Sequence, residues 1–120
     1  MEIEMAQFVQ FAQESFRPER SAGTDFCVQL EIEGDKSEIW AAVIRDQTFR
    51  ITQGEIHNWN ARVQASRADL FKLLRGELNP AVAFFTGRVK ISGDQGGLLK
   101  MISLFDFDKE KRDQLFSKYR

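Results

Sequence analysis

The sequence predicts a two-layer α/β (α+β) domain, a five-stranded mixed sheet with helices covering one face. Three observations carry this. Five short apolar or alternating runs, bounded by turn signals, read as strands. Their outward positions, Gln29, Glu31, Arg50, Thr52, Arg62, Gln64, Arg88, Lys90 and Ser92, are all polar, so one sheet face is wet. Three apolar segments, around Leu70–Leu74, Val82–Phe85 and Leu98–Phe105, then have only the other face to cover.

Taken in order, Met5, Phe8, Val9, Ala12 and Phe16 recur at helical spacing and mark an amphipathic helix that Pro18 stops. Residues 19–25 form a polar loop. Residues 26–32 alternate as a half-buried strand whose inward side chains include Val28 and Leu30. Residues 39–44 are apolar on both faces, as expected of an inner strand. Residues 48–52 alternate again, and short turns at 34–37 and 45–47 make the three strands an antiparallel meander. Residues 54–60 are an irregular crossover leading to a fourth strand at 61–65. Ser66-Arg67-Ala68-Asp69 resembles a capping box in which the Ser66 hydroxyl accepts from the amide three residues on. The helix it opens ends at Gly76. Asn79-Pro80 starts a second short helix that ends near Gly87. A fifth strand at 88–92 and a very apolar helix at 96–105, capped by Asp94, complete the fold.

At 120 residues the chain is one domain with one core, and its 42% hydrophobic and 29% charged residues suit a folded globular protein. A net charge of -1 gives no bulk attraction for nucleic acid. The charge is uneven: residues 1–33 hold two arginines against seven acids, and residues 61–100 hold seven bases against three acids. The basic half either faces anionic headgroups or an acidic partner, or is a polarised surface and nothing more. A single cysteine, Cys27, excludes an internal disulfide and a cysteine-built zinc site. The acidic start Met1-Glu2-Ile3-Glu4 is no secretory signal, no stretch nears the roughly 18 apolar residues of a membrane span, and the end Ser117-Lys118-Tyr119-Arg120 is no peroxisomal signal. A cytoplasmic location is expected.

Residues 66–105 carry a family resemblance. The run from Ser66 through Leu70, Phe71, Leu73, Leu74 and Gly76 to Leu78-Asn79-Pro80 resembles a leucine-rich helix, glycine and Leu/Met-Asn-Pro block. Ala83-Phe84-Phe85-Thr86-Gly87-Arg88-Val89-Lys90-Ile91-Ser92-Gly93-Asp94 resembles an Ala-Phe-x-x-Gly-Lys-Leu-Lys-Ile-x-Gly-Asn block. Gly97-Leu98-Leu99-Lys100-Met101 resembles the start of a last core helix. Three blocks at matching spacing resemble the sterol carrier protein-2 (SCP-2) family, over residues 5–107. The first helix is shorter than the family's, and the tail beyond Phe107 lies outside the pattern. The resemblance implies an SCP-2-like domain at residues 1–107 and a C-terminal helical tail at 108–120. It also implies non-enzymatic binding, and transfer, of fatty acyl chains, acyl-CoA, sterol-like or prenyl lipids in an apolar cavity. The alternative is an accessory or dimerisation module of a lipid-metabolism complex that uses the same fold without free lipid transfer. The implied partners are a lipid ligand, transient contact with a membrane surface or a lipid-metabolism enzyme, and a second copy through the tail. No cofactor is expected.

The side chains expected to line the cavity, on this resemblance, are Phe71, Leu74, Phe84, Phe85, Leu98, Leu99, Ile102 and Phe105. The cavity is expected to span a few hundred Å³, between the sheet and the helices at 70–75, 80–86 and 96–105. Burying a methylene contributes about 0.8 kcal/mol, so about 16 carbons offer on the order of 12 kcal/mol gross. Association costs about 4–15 kcal/mol, and micromolar binding needs only about 8 kcal/mol net. An apolar tunnel therefore binds without a sharp polar contact.

The remaining motifs point away from catalysis. His57 is the only histidine, with no G-x-S-x-G nucleophile and no H-E-x-x-H ligand pair beside it, so neither a catalytic nor a metal residue is expected. Gly93-Asp94-Gln95-Gly96-Gly97 matches neither phosphate-binding glycine pattern, and Asp94 reads as a helix cap. Trp59, in the crossover, covers a pocket mouth, meets a membrane interface or anchors the core. The tail places Leu115, Phe116 and Tyr119 among Lys109, Lys111, Arg112, Lys118 and Arg120. It closes the cavity mouth, docks on a partner chain, lies on a lipid surface or is a solvated terminus.

Overall fold

Residues 5–34, 37–74 and 77–106 are described by a computed structural model. The C-terminal tail at 108–120, the proposed helix end at Gly76 and the start of the chain at 1–4 lie outside the described residues. Helix α1 (Met5–Ser15) is followed by a 3-10 turn at Pro18–Arg20 and by strands β1 (Phe26–Glu33), β2 (Glu38–Arg45) and β3 (Thr48–Gln53). Strand β4 (Ala61–Ser66), helices α2 (Arg67–Leu74) and α3 (Pro80–Phe85), strand β5 (Val89–Gly93) and helix α4 (Gln95–Ile102) complete the order.

The strands form one sheet in the order β3-β2-β1-β4-β5. β1, β2 and β3 are the antiparallel meander, β4 runs parallel to β1, and β5 returns antiparallel to β4. The register stacks the inward side chains in rows across the sheet. One row is Phe49, Ile44 and Phe26; the next is Ile51, Ala42, Val28 and Ala61; a third is Trp40, Leu30, Val63 and Ile91. The four α-helices among the described residues pack on this face. α4 brings Leu98 and Met101 to Val28 and Ala42, α2 brings Phe71 to Leu30 and Ile32, and α3 brings Ala83 to Ala65 and Val89.

The helix caps form as the residue types dictate. Ser66 Oγ accepts from the Asp69 amide at 3.0 Å, Asn79 Oδ1 accepts from Ala81 at 2.8 Å, and Asp94 Oδ1 accepts from Gly97 at 2.8 Å. The last helix is shorter than its apolar pattern. It ends at Ile102, and the amides of Leu104 and Phe105 turn back to Met101 and Ile102 instead of continuing the helix. Phe105 then pairs as a single β-bridge with Phe16. The flanking bonds are Arg17 N to Leu104 O at 3.0 Å and Asp106 N to Ser15 O at 2.7 Å. Backbone pairing with the end of α1 replaces the last helical turn.

The outer sheet face is polar on β3, β4 and β5, carries the apolar Cys27, Ile39, Ala41 and Val43 on β1 and β2, and is not uniformly wet. The crossover lies against it: the Ile56 amide donates to Gln29 Oε1 at 3.2 Å, and Asn60 exchanges bonds with the Cys27 backbone. Gln29 and Cys27 are buried as a result. On this face Glu31 accepts from Arg62 in a two-pronged ion pair, from Gln29 at 2.8 Å and from Gln64 at 3.2 Å. Arg62 holds the Glu31 carboxyl down to a pKa of about 2, burial opposes this, and Gln29 and Gln64 add to it.

Candidate functional site

A cavity of about 160 Å³ lies between the sheet and two helices. Its floor is Val28, Leu30, Ala42 and Ile51, with Phe49 at the β3 side. α1 supplies Phe8, Phe11 and Ala12, and α4 supplies Leu98, Met101 and Ile102, with Phe105 beyond it. Each element reaches the cavity for a local reason. The period of two in β1 and β3 turns Val28, Leu30, Phe49 and Ile51 inward. Positions 98, 101 and 102 fall on one side of α4, and positions 8, 11 and 12 on one side of α1, while the bridge to Phe16 carries Phe105 to the cavity. Every lining side chain among the described residues is apolar, so these residues bring no acid, base or nucleophile to the cavity. Ile102 lines it while 48% exposed, so the wall reaches the surface at α4.

Of the expected lining residues, the structure brings Leu98, Ile102 and Phe105 together on the cavity wall. Phe71 is buried beside it, in a cluster with Met5, Leu30 and Ile32, its ring 6.3 Å from that of Phe8. Leu99, Phe84 and Phe85 stand elsewhere: Leu99 is 69% and Phe85 85% exposed, and the Phe84 ring packs on Phe85 at 5.9 Å. Leu99 points away because it sits about 100° around α4 from Leu98. The Leu74 side chain lies outside the described residues. In this cavity of about 160 Å³, α1 and not α2 or α3 forms the second wall. The signal for α1 was present in the sequence as the stripe of Phe8 and Ala12.

Two buried polar atoms, Gln7 Oε1 and Trp40 Nε1, have no hydrogen-bond partner among the described residues. Trp40 pairs across the strands with Leu30, and neither Gln7 nor Trp40 lines the cavity. Trp59 does not line the cavity. It packs by Gly93, whose positive φ of 87° and closeness to the Asn60 carbonyl and Trp59 ring leave no room for a side chain. His57 is exposed in the crossover. Among the described residues no three His, Cys, Asp or Glu side chains are placed to hold a metal ion, and no helix is long and apolar enough to cross a membrane.

The model of the SCP-2 sterol transfer family matches residues 6–106. The chain belongs to the SCP-2 family. Sterol carrier protein 2 of Gallus gallus is 28% identical over 71 residues, 59% of this chain and 13% of that protein's length. The chain is thus similar to a small part of the curated relatives it matches. Among solved structures, the sec-alkylsulfatase Pisa1 from Pseudomonas sp. has a TM-score of 0.76 at 19% identity, over 87% of this chain and 16% of that one. This SCP-2 domain therefore resembles one small part of that enzyme in fold. Palmitated SCP2L2 from Aedes aegypti, with a TM-score of 0.65 at 16% identity, matches over 87% of this chain and 97% of its own. Family membership supports lipid binding or transfer in general as the role of the domain.

Proposed function

We propose that this SCP-2 domain is a non-enzymatic carrier of a single flexible acyl chain, held between α1, α4 and the sheet. The observation that carries this is the wholly apolar wall of the cavity. Such a wall rewards burial of methylenes, at about 0.8 kcal/mol each, and offers no group that reacts. The volume favours a chain over a rigid ring system. About 160 Å³ is close to the roughly 150 Å³ of a dry cavity that takes benzene. It falls below the roughly 300–1,000 Å³ usual for drug-sized ligands. A fused sterol nucleus needs its full volume at once. A flexible chain enters in part, displaces the half-buried Phe8 and leaves its remainder outside the cavity. The palmitated relative supports the same reading.

Two measurements test it: mass spectrometry of lipids extracted from the protein purified under native conditions, and titration with a fluorescent fatty acid. Co-purified acyl lipid and micromolar binding are expected. An empty extract together with no binding of acyl or sterol probes would leave the accessory-module reading in its place.

A further inference from the structure

The cavity has a built end. Phe16, Phe49 and Phe105 form a triangle of rings, with centroids 5.7 Å apart for Phe16 and Phe49, 5.4 Å for Phe16 and Phe105 and 4.9 Å for Phe49 and Phe105. Phe49 and Phe105 line the cavity, whereas Phe16 does not and backs them both. The triangle is also pinned by backbone. The Phe16–Phe105 bridge, with the Arg17-to-Leu104 and Asp106-to-Ser15 bonds on either side, fixes the segment after α4 to the end of α1. Three mutually packed aromatic rings on tied backbones yield less readily than the single aliphatic side chains of α4.

We propose that the Phe16–Phe49–Phe105 triangle is the end stop of the cavity and sets the longest apolar chain the domain buries. This rests on the acyl-carrier reading above. It adds a direction and a ruler. The methyl end of the chain abuts the rings. The polar end lies toward the opposite part of α1 and β2, the part that holds Gln7 and Trp40, whose Oε1 and Nε1 are buried without a partner among the described residues and do not line the cavity. From residue 7 to residue 16 of α1 is about 13 Å at 1.5 Å per residue. From residue 40 to residue 44 of β2 is a similar span at about 3.3 Å per residue. The rings and this opposite part are therefore about 13 Å apart along either element. A chain that outgrows this length either breaks the triangle or leaves methylenes in water.

The test is displacement of a fluorescent fatty acid by straight-chain fatty acids of about 8 to 22 carbons, on wild type, Phe105→Leu and Phe49→Trp. Circular dichroism checks that each variant is folded, and two opposite substitutions guard against one failing. Phe105→Leu should move the optimum to longer chains by about two carbons and raise the long-to-medium affinity ratio roughly tenfold, the worth of about two more buried methylenes. Phe49→Trp should move the optimum to shorter chains. An unchanged optimum in a folded variant, with a wild type that binds, overturns the end stop and spares the carrier reading. A wild type that binds no fatty acid at all overturns both.

Discussion

The ring of Phe105 lies 5.4 Å from that of Phe16, and the two residues also share a β-bridge, so one contact joins the ends of α1 and of the segment after α4. Between these two elements lies the cavity. Its two helical walls are thus tied at one end, through aromatic packing, the two backbone hydrogen bonds of the bridge and an Arg17–Asp106 ion pair at 3.7 Å. That arrangement makes the wall residues of α4 separable from its surface residues by substitution.

Ile102 and Leu99 differ in this respect. Ile102 lines the cavity, whereas Leu99, one turn earlier, is 69% exposed and does not. Ile102→Trp should weaken fatty-acid binding about tenfold or more, the loss of at least two buried methylenes, with a melting temperature near wild type. Leu99→Trp should leave both unchanged. Probe titration and thermal melting of the two variants side by side measure the contrast; equal losses would place the ligand elsewhere.

Glu31 links stability to pH. Its carboxyl is held at about 2 in the folded chain against an ordinary 4.5, first by the Arg62 hydrogen bond. Because the folded value is the lower one, the contribution is complete above about pH 4.5 and is lost as pH falls through about 2. Wild type should therefore exceed Glu31→Gln in urea midpoint near neutrality. The gap should close as pH drops between those values. A gap that stays constant with pH would show that the carboxylate charge is not what stabilises the outer face.

Gly97 is required by a close approach. A Cβ at this position would stand 2.5 Å from Cε1 of Phe26, a buried ring, and would also strike the Asp94 carboxylate that caps α4. Alanine gains about 1 kcal/mol of helix propensity, but overpacking costs about 1–3 kcal/mol and loss of the cap about 1 more. Gly97→Ala should be destabilising by about 1–3 kcal/mol. At Gly96 the nearest atom is 3.8 Å away, so Gly96→Ala should be neutral or stabilising. Melting curves of the pair decide it.

Local chemistry wrote most of the architecture into the sequence. Alternation turns Val28, Leu30, Ile51, Val63 and Ile91 to one face whatever their neighbours do, because the strand period is two. Ser66, Asn79 and Asp94 cap their helices through bonds spanning two or three residues, which depend on no distant partner. The blocks at 66–105 likewise carried the family. The tertiary structure decided the site. An apolar side chain serves equally well as core, wall or exposed surface, and only the placement of helices on the sheet sorts Ile102 from Leu99 or Leu98 from Phe85. The early end of α4, the use of α1 as the second wall and the covering of Gln29 by the crossover all depend on contacts between segments far apart in sequence. Periodicity reports which face of an element is apolar; what that face meets is fixed by the packing of the whole chain.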